Sequence, residues 1–190
     1  MPAGIDDLVQ RCQQGELAAF TLLFNEYENQ VYRLALTILR NEQDAQDAVQ
    51  DTFLRVFERI KRFKGQSSFK TWLTTIVVNL CRDRLRRRKV RQAFSLDWLR
   101  GQASGYRLTE EVAQRERQRT LLAIIDQLDD KYRLPVILHY FEGLPCGQVA
   151  EVLQIRTSTV YSRLNTARNQ IREAAGRQSV LTGSEKTSMI

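Results

Sequence analysis

Apolar residues recur at helical spacing along most of the chain, and no stretch reads as strand. A first helical stretch runs from about Asp6 through Phe24. A second carries Tyr27, Val31, Leu34 and Ile38 at steps of four, three and four, a stripe that faces a core. Asn41-Glu42-Gln43-Asp44 then reads as a turn with Asn41 as a helix cap. After it, Ala45, Ala48, Val49, Thr52, Phe53, Val56, Phe57 and Ile60 trace one face for more than four turns. Lys64-Gly65-Gln66-Ser67-Ser68 breaks the pattern, and Phe69, Trp72, Leu73, Ile76, Val77 and Leu80 open another helix. That helix ends in charge: from Arg82 to Arg91 stand seven basic residues and one acid, Asp83.

Beyond Arg91 the periodicity fails, and Ser95, Gly101, Ser104 and Gly105 mark a linker to about Leu108. Two helical domains, 1–92 and 109–175, are therefore expected on either side of a 93–108 linker, with a polar, disordered tail over 176–190. Thr109-Glu110-Glu111 starts a helix that leads to Leu121, Leu122, Ile124, Ile125 and Leu128. Asp129-Asp130 caps the next, where Pro135 should bend the first turns and Glu142-Gly143-Leu144-Pro145 ends it. A short helix from about Cys146 to Leu153, a turn at Gln154-Ile155-Arg156 and a last helix from Thr157 to about Ala174 make a helix-turn-helix.

Composition sharpens the picture. The 190 residues include only three Pro and nine Gly, which agrees with an all-α fold. Lys and Arg number 29 against 22 Asp and Glu, a formal charge of +7, which suits a polyanionic partner such as nucleic acid or an anionic membrane surface. No apolar run approaches the roughly 18 residues of a membrane span, and Met1 to Asp7 lack the order of a signal peptide, so a cytoplasmic protein without membrane insertion is expected. Cys12, Cys81 and Cys146 are widely spaced and form no CxxC, so buried free thiols are expected in place of disulfides or a metal site. One His, no Ser/His/Asp or Cys/His cluster and no glycine-rich phosphate loop argue against an enzyme and against a cofactor.

Three constellations remain. Opposite the apolar stripe of the Asn41-capped helix lie Asp44, Asp47, Asp51, Arg55 and Glu58, with Leu54 among them. This is either a solvated face that complements the helix dipole or a surface for a basic helix of a partner. The next helix joins Phe69 and Trp72 at its start to Arg82, Arg84, Arg86, Arg87, Arg88 and Lys89 at its end. Aromatic rings beside a basic groove suit unpaired bases, although Trp72, four residues before Ile76, equally fits a core stripe. In the helix-turn-helix, Thr157, Ser158, Thr159, Tyr161, Ser162 and Asn165 are candidate base readers, with Arg156, Arg163 and Arg168 near phosphates and Val160 and Leu164 facing inward.

The segments 44–57 (DAQDAVQDTFLRVF), 69–79 (FKTWLTTIVVN) and 140–164, with Tyr140-Phe141-Glu142-Gly143-Leu144, Val149-Ala150-Glu151-Val152-Leu153 and Thr159-Val160-Tyr161-Ser162-Arg163-Leu164, resemble the extracytoplasmic-function sigma factors of bacterial RNA polymerase. The resemblance covers most of the chain between Gln10 and Glu173. It implies two helical domains, regions 2 and 4, and a role in transcription initiation and stress response. Asp44, Asp47, Gln50, Leu54, Asp51 and Arg55 would dock on the coiled coil of the largest polymerase subunit. Ser67, Ser68, Phe69, Trp72 and Asn79 would capture a flipped minus-ten base, with Arg82 and Arg86 on its backbone. The helix-turn-helix would read the minus-thirty-five duplex while its back face binds the polymerase flap. The resemblance also implies an anti-sigma factor partner.

Three positions depart from the family's pattern. Tyr161 stands where a basic residue is frequent, Asn165-Thr166 where an aromatic or basic pair is common, and Pro145-Cys146-Gly147-Gln148 replaces a frequent Ser-Tyr-Glu-Glu. Without that capping hydroxyl and those acids, the first helix of the helix-turn-helix is expected to begin late. The rival reading is a freestanding helix-turn-helix repressor, which needs a dimer to read symmetric half-sites, and no sustained heptad offers one.

Overall fold

The structure, a computed structural model, describes residues 4–94 and 121–184, with side chains over 4–90 and 121–176. The chain divides into two compact units, one built around the helices up to Phe94 and one around those after the 95–120 stretch. Among the described residues every regular element is helical, as the periodicity requires.

The first unit holds α1 (Ile5–Gln13), α2 (Leu17–Leu39), α3 (Glu42–Arg59) with a closing 3-10 turn (Ile60–Arg62), and α4 (Phe69–Phe94). The expected Asp6-to-Phe24 helix is divided: the break falls at Gly15, whose φ of 90° only glycine adopts without strain. Arg11 stabilises this corner by donating to the Glu16 carboxylate from Nε (2.8 Å) and Nη2 (2.5 Å), which holds that carboxyl below its ordinary range. Consequently α2 runs unbroken through Asn25 and Glu26, where a gap between two helices is expected. Asn41 caps α3 as anticipated, its Oδ1 accepting from Asp44 N at 2.8 Å.

Val31, Leu34 and Ile38 of α2, Ala45, Ala48 and Val56 of α3, and Leu73, Val77 and Val78 of α4 are all buried and form the core. Truncating one of these Leu or Ile side chains to Ala costs about 2–5 kcal/mol. Thr52 joins them without penalty because its hydroxyl donates to the Ala48 carbonyl at 2.6 Å. Phe57 does not join them. It lies one step around the helix from Val56 and stays 54% exposed, its ring edge-on to Phe20 at 5.3 Å, so its place in the core stripe is corrected.

After the 95–120 stretch the chain forms α5 (described over 121–127), α6 (Asp130–Val136), a π turn (Ile137–Phe141), α7 (Cys146–Leu153) and α8 (Thr157–Ser184). The expected side-chain cap at Asp129 is not made; its backbone carbonyl instead accepts from Tyr132 and Arg133, each at 2.8 Å. Pro135 has no N–H to donate, and the helix beyond it widens to π winding, closed by Glu142 N donating to Ile137 O at 3.1 Å. The late start expected for α7 is also overturned. Its first turn closes directly, with Val149 N donating to Pro145 O at 3.0 Å, and Pro145 needs no hydroxyl to occupy the position before the helix. Val149, Val152, Val160, Leu164 and Ala167 are all buried.

At the other end, α8 continues past Ala174 and Gly176 to Ser184, over residues where a frayed tail is expected. The expected linker overlaps the end of α4 at residues 93 and 94; its remainder and the Thr109 helix start lie outside the described residues. Cys12 and Cys81 are buried and form no disulfide among the described residues, while Cys146 is only half-buried. Among the described residues no helix is long and apolar enough to cross a membrane.

Candidate nucleic-acid and partner interfaces

Helix α3 turns its apolar stripe inward, which brings Asp44, Asp47 and Asp51 onto the opposite side at i, i+3 and i+7. They are not simply solvated. Arg84 of α4 reaches across, its Nη2 donating to Asp51 Oδ2 at 2.5 Å while Nη1 lies 3.6 Å from Asp47 and 3.9 Å from Asp44. Burial works against the Arg84 charge, but the bond to Asp51 and the three carboxylates outweigh it and hold its pKa above the ordinary value. Arg84 thus faces carboxylates, apart from the basic groove in which its place among the charges of 82–91 puts it. The overlooked signal is its spacing: it follows the buried Leu80 and Cys81 by four and three residues, which puts it on the packed side of α4. Beside this cluster, Gln50 is exposed and Leu54 is 63% exposed. Arg55 is half-buried and lines a cleft of about 650 Å³ with Leu39, Asp44, Asp51, Leu80 and Arg84.

The start of α4 separates the aromatic candidates. Phe69 is 3% exposed and its ring packs against Tyr27 (5.3 Å), Trp72 (5.7 Å) and Phe63 (6.0 Å), so it is a core residue with no free face for a base. Trp72 ends this chain of rings, 5.0 Å from Phe63, and is half-buried, serving core and surface at once. Ser68 is a helix cap, its Oγ accepting from Thr71 N at 3.1 Å; Ser67 beside it is half-buried. Further along, Trp72, Asn79 and Arg86 recur every seven residues with Arg82 between them, so all four share one side of α4, opposite Arg84. Arg82 and Arg86 are exposed there, Arg86 also meeting Asp83 at 3.1 Å.

In the second unit, burying Val160, Leu164 and Ala167 leaves the other side of α8 to solvent. Ser158, Tyr161, Ser162, Asn165 and Arg168 line that side, preceded by Arg156 and Thr157; Thr159 and Arg163 flank it, half-buried. Tyr161 is 58% exposed. The turn between α7 and α8 is made by Gln154 in the left-handed region (φ 55°), with Ile155 N donating to Ala150 O at 3.0 Å. Hydroxyls, an amide and cations at the open start of a second helix are the groups that read a DNA groove.

A helix-turn-helix in one unit, and in the other an acidic stripe with an aromatic and basic helix side, define a two-part DNA-binding protein that works with a protein partner. The sigma-70 region 2 model matches residues 23–91 and the sigma-70 region 4 model residues 118–171. Over 174 residues the chain is 32% identical to the ECF RNA polymerase sigma-E factor of Haemophilus influenzae, covering 86% of this chain and 91% of that one. It is also 32% identical over 177 residues to the RNA polymerase sigma-H factor of Pseudomonas aeruginosa, covering 88% and 91%. Among solved structures, the sigma factor RpoE of Bartonella quintana in complex with the anti-sigma factor NepR shares the fold, with a TM-score of 0.70 at 21% identity over 83% of this chain and 96% of that one. CnrH in complex with the cytosolic domain of CnrY does so with a TM-score of 0.67 at 22% identity, covering 90% and 96%. The chain belongs to the extracytoplasmic-function sigma factors of RNA polymerase. It is therefore a DNA-binding initiation factor that directs the polymerase to promoters, and the repressor reading is set aside.

Proposed function

We propose that three surfaces divide this work. The outer side of α3, with Asp44, Asp47, Gln50, Asp51, Leu54 and Arg55, docks on the coiled coil of the largest polymerase subunit. The Ser67-Ser68 loop and the Trp72, Asn79, Arg82 and Arg86 side of α4 capture the melted minus-ten strand, with Phe69 supporting Trp72 from the core. Residues Arg156 to Arg168 at the start of α8 read the minus-thirty-five duplex, and the back of that unit meets the polymerase flap. Residues 1–92 and 109–175 are the two functional domains on this reading. An anti-sigma factor, the kind of partner that RpoE of Bartonella quintana holds, regulates it. The chain itself catalyses no reaction and acts in the cytoplasm, at the nucleoid.

The observation that carries the reading is the two-sidedness of α4, which sends Arg84 into the acidic stripe of α3 and leaves Trp72, Asn79, Arg82 and Arg86 on the open side. An unpaired base needs a stacking surface and a polar partner, and its backbone needs cations; that side offers all three. The test is promoter opening by core polymerase supplied with the purified chain, followed by permanganate reactivity of thymines near the start site. Polymerase carrying Asn79→Ala is expected to occupy the promoter but open it poorly on linear duplex at low temperature. Wild-type opening by that variant refutes the base-capture assignment.

A further inference from the structure

The acidic stripe of α3 already holds a cation of its own. Asp44, Asp47 and Asp51 stand on successive turns, where three like charges repel one another, and the Arg84 guanidinium lies within 4 Å of all three. The contacts are graded. Asp51 accepts a hydrogen bond, whereas Asp47 and Asp44 are at ion-pair distance only, Asp47 also accepting from Gln43 Nε2 at 3.3 Å. Arg84 is anchored by its stem on the packed side of α4 and is 24% exposed, while the three carboxylates are 41–46% exposed. The cluster thus sits at the rim of the cleft, reachable from solvent on the acid side.

We propose that Arg84 is an internal occupant of the docking surface: it stands where a basic side chain of the polymerase coiled coil goes, and docking exchanges one cation for the other. This rests on the docking role given above to α3. A partner has to out-compete a cation that is already tethered, so a single stray Lys or Arg gains little from the stripe. A helix presenting several basic residues in step with i, i+3 and i+7 gains all three carboxylates together. Arg84 is in this sense a positioning residue that sets how strongly, and how selectively, the surface binds. On release it remains on the side of α4 that carries Arg87 and Arg88, three and four residues on, which line the same cleft.

The test is a titration of fluorescently labelled full-length chain with core RNA polymerase over a range of salt. Arg84→Gln removes the charge and keeps a polar amide; it is expected to tighten docking about three- to tenfold and to steepen the salt dependence. Arg84→Lys keeps the charge but loses the forked donor geometry, and is expected to tighten docking about two- to threefold. Lys61→Ala removes the same charge from the exposed turn after α3 and is expected to leave docking within about twofold. Equal or weaker docking by folded Arg84→Gln overturns the proposal; if that variant melts early, equal or weaker docking by Arg84→Lys does so instead. Leu54→Asp, run alongside, tells the two readings apart. If it impairs docking while the Arg84 variants have no effect, the exchange alone fails; if it docks at wild-type strength, the docking role of α3 fails and takes the exchange with it.

Discussion

Ser68 caps α4 through Thr71: its Oγ accepts from the Thr71 backbone N–H at 3.1 Å and lies 2.9 Å from the Thr71 hydroxyl. A residue placed by family resemblance in base capture therefore also starts the helix that carries the side proposed to face DNA. Substitutions at Ser68 mix the two effects, whereas the neighbouring Ser67 is free of this capping role.

Ser68→Ala is expected to lower stability by about 1 kcal/mol, within the usual range for a lost cap. Urea unfolding followed by circular dichroism measures it, and Ser67→Ala serves as the reference that should leave the midpoint in place. An unchanged midpoint for Ser68→Ala contradicts the capping assignment.

Reversing charge at Asp47 and Asp51 together sets two new arginines against Arg84, so Asp47→Arg with Asp51→Arg is expected to destabilise the first unit as well as to lose docking. Gln50→Arg with Leu54→Asp avoids this, because both side chains are exposed. That pair is expected to keep its stability within about 0.5 kcal/mol and to weaken co-elution with core polymerase at least about tenfold. Full co-elution of the folded pair removes α3 as the docking surface.

On α8, alanine at Ser158, Ser162 or Asn165 is expected to weaken binding to the cognate minus-thirty-five duplex by about 1–3 kcal/mol each and to relax preference at one position. Arg168→Ala should weaken all sequences alike and flatten the salt dependence. Binding of a duplex panel at several salt concentrations separates the two classes. Identical losses on every duplex would make α8 a phosphate-binding and packing helix only.

Tyr27 lies against Phe69 in the first core, and burial raises its phenol above the ordinary value near 10, with the charges of Glu26 and Asp6 adding to the shift. Between the ordinary and the raised value the unfolded chain releases this proton and the folded chain does not. The associated stability is therefore complete below pH 10 and declines as pH rises toward the folded value. Urea midpoints across alkaline pH should fall less steeply in Tyr27→Phe than in the wild type; parallel curves would place Tyr27 in solvent.

Much of the fold is legible because helix periodicity, caps and turn residues act over a few neighbouring positions. Asn41, the α4 start at Phe69, the α7 and α8 limits around Gln154 and the inward Val160 and Leu164 all follow from such local rules. What escaped the sequence depends on partners far along the chain. The corner at Gly15, besides its local bond between Arg11 and Glu16, is secured from a distance by Gln13 Nε2 donating to the carbonyls of Ile60 (3.0 Å) and Phe63 (2.8 Å). Phe57 reads as core by sequence order but lies half-exposed with its ring against Phe20, and Phe69 reads as a stacking surface until Tyr27 and Phe63 cover it. The acidic stripe was legible as a stripe. That one of the seven basic residues of 82–91 turns back to it was not, since the pairing spans 33 residues.

The π turn at Ile137–Phe141 acts as a phase setter for everything around it. A turn of π winding takes up one residue more than the i→i+4 ladder accommodates; wound as regular α-helix, the same residues would carry the chain further around the axis. The side chains on its two sides would then be rotated relative to each other by about 100°. Ile137 and Leu138, now buried, and Tyr140 and Phe141, now exposed, could not all keep their surroundings after such a twist. Leu144, whose N–H donates to Leu138 O and whose carbonyl lies 2.8 Å from His139 Nδ1, would be carried out of register with them. In this segment the wide turn absorbs a residue that a regular helix would pass on as a rotation, and so keeps the buried and exposed sides of the flanking residues in step.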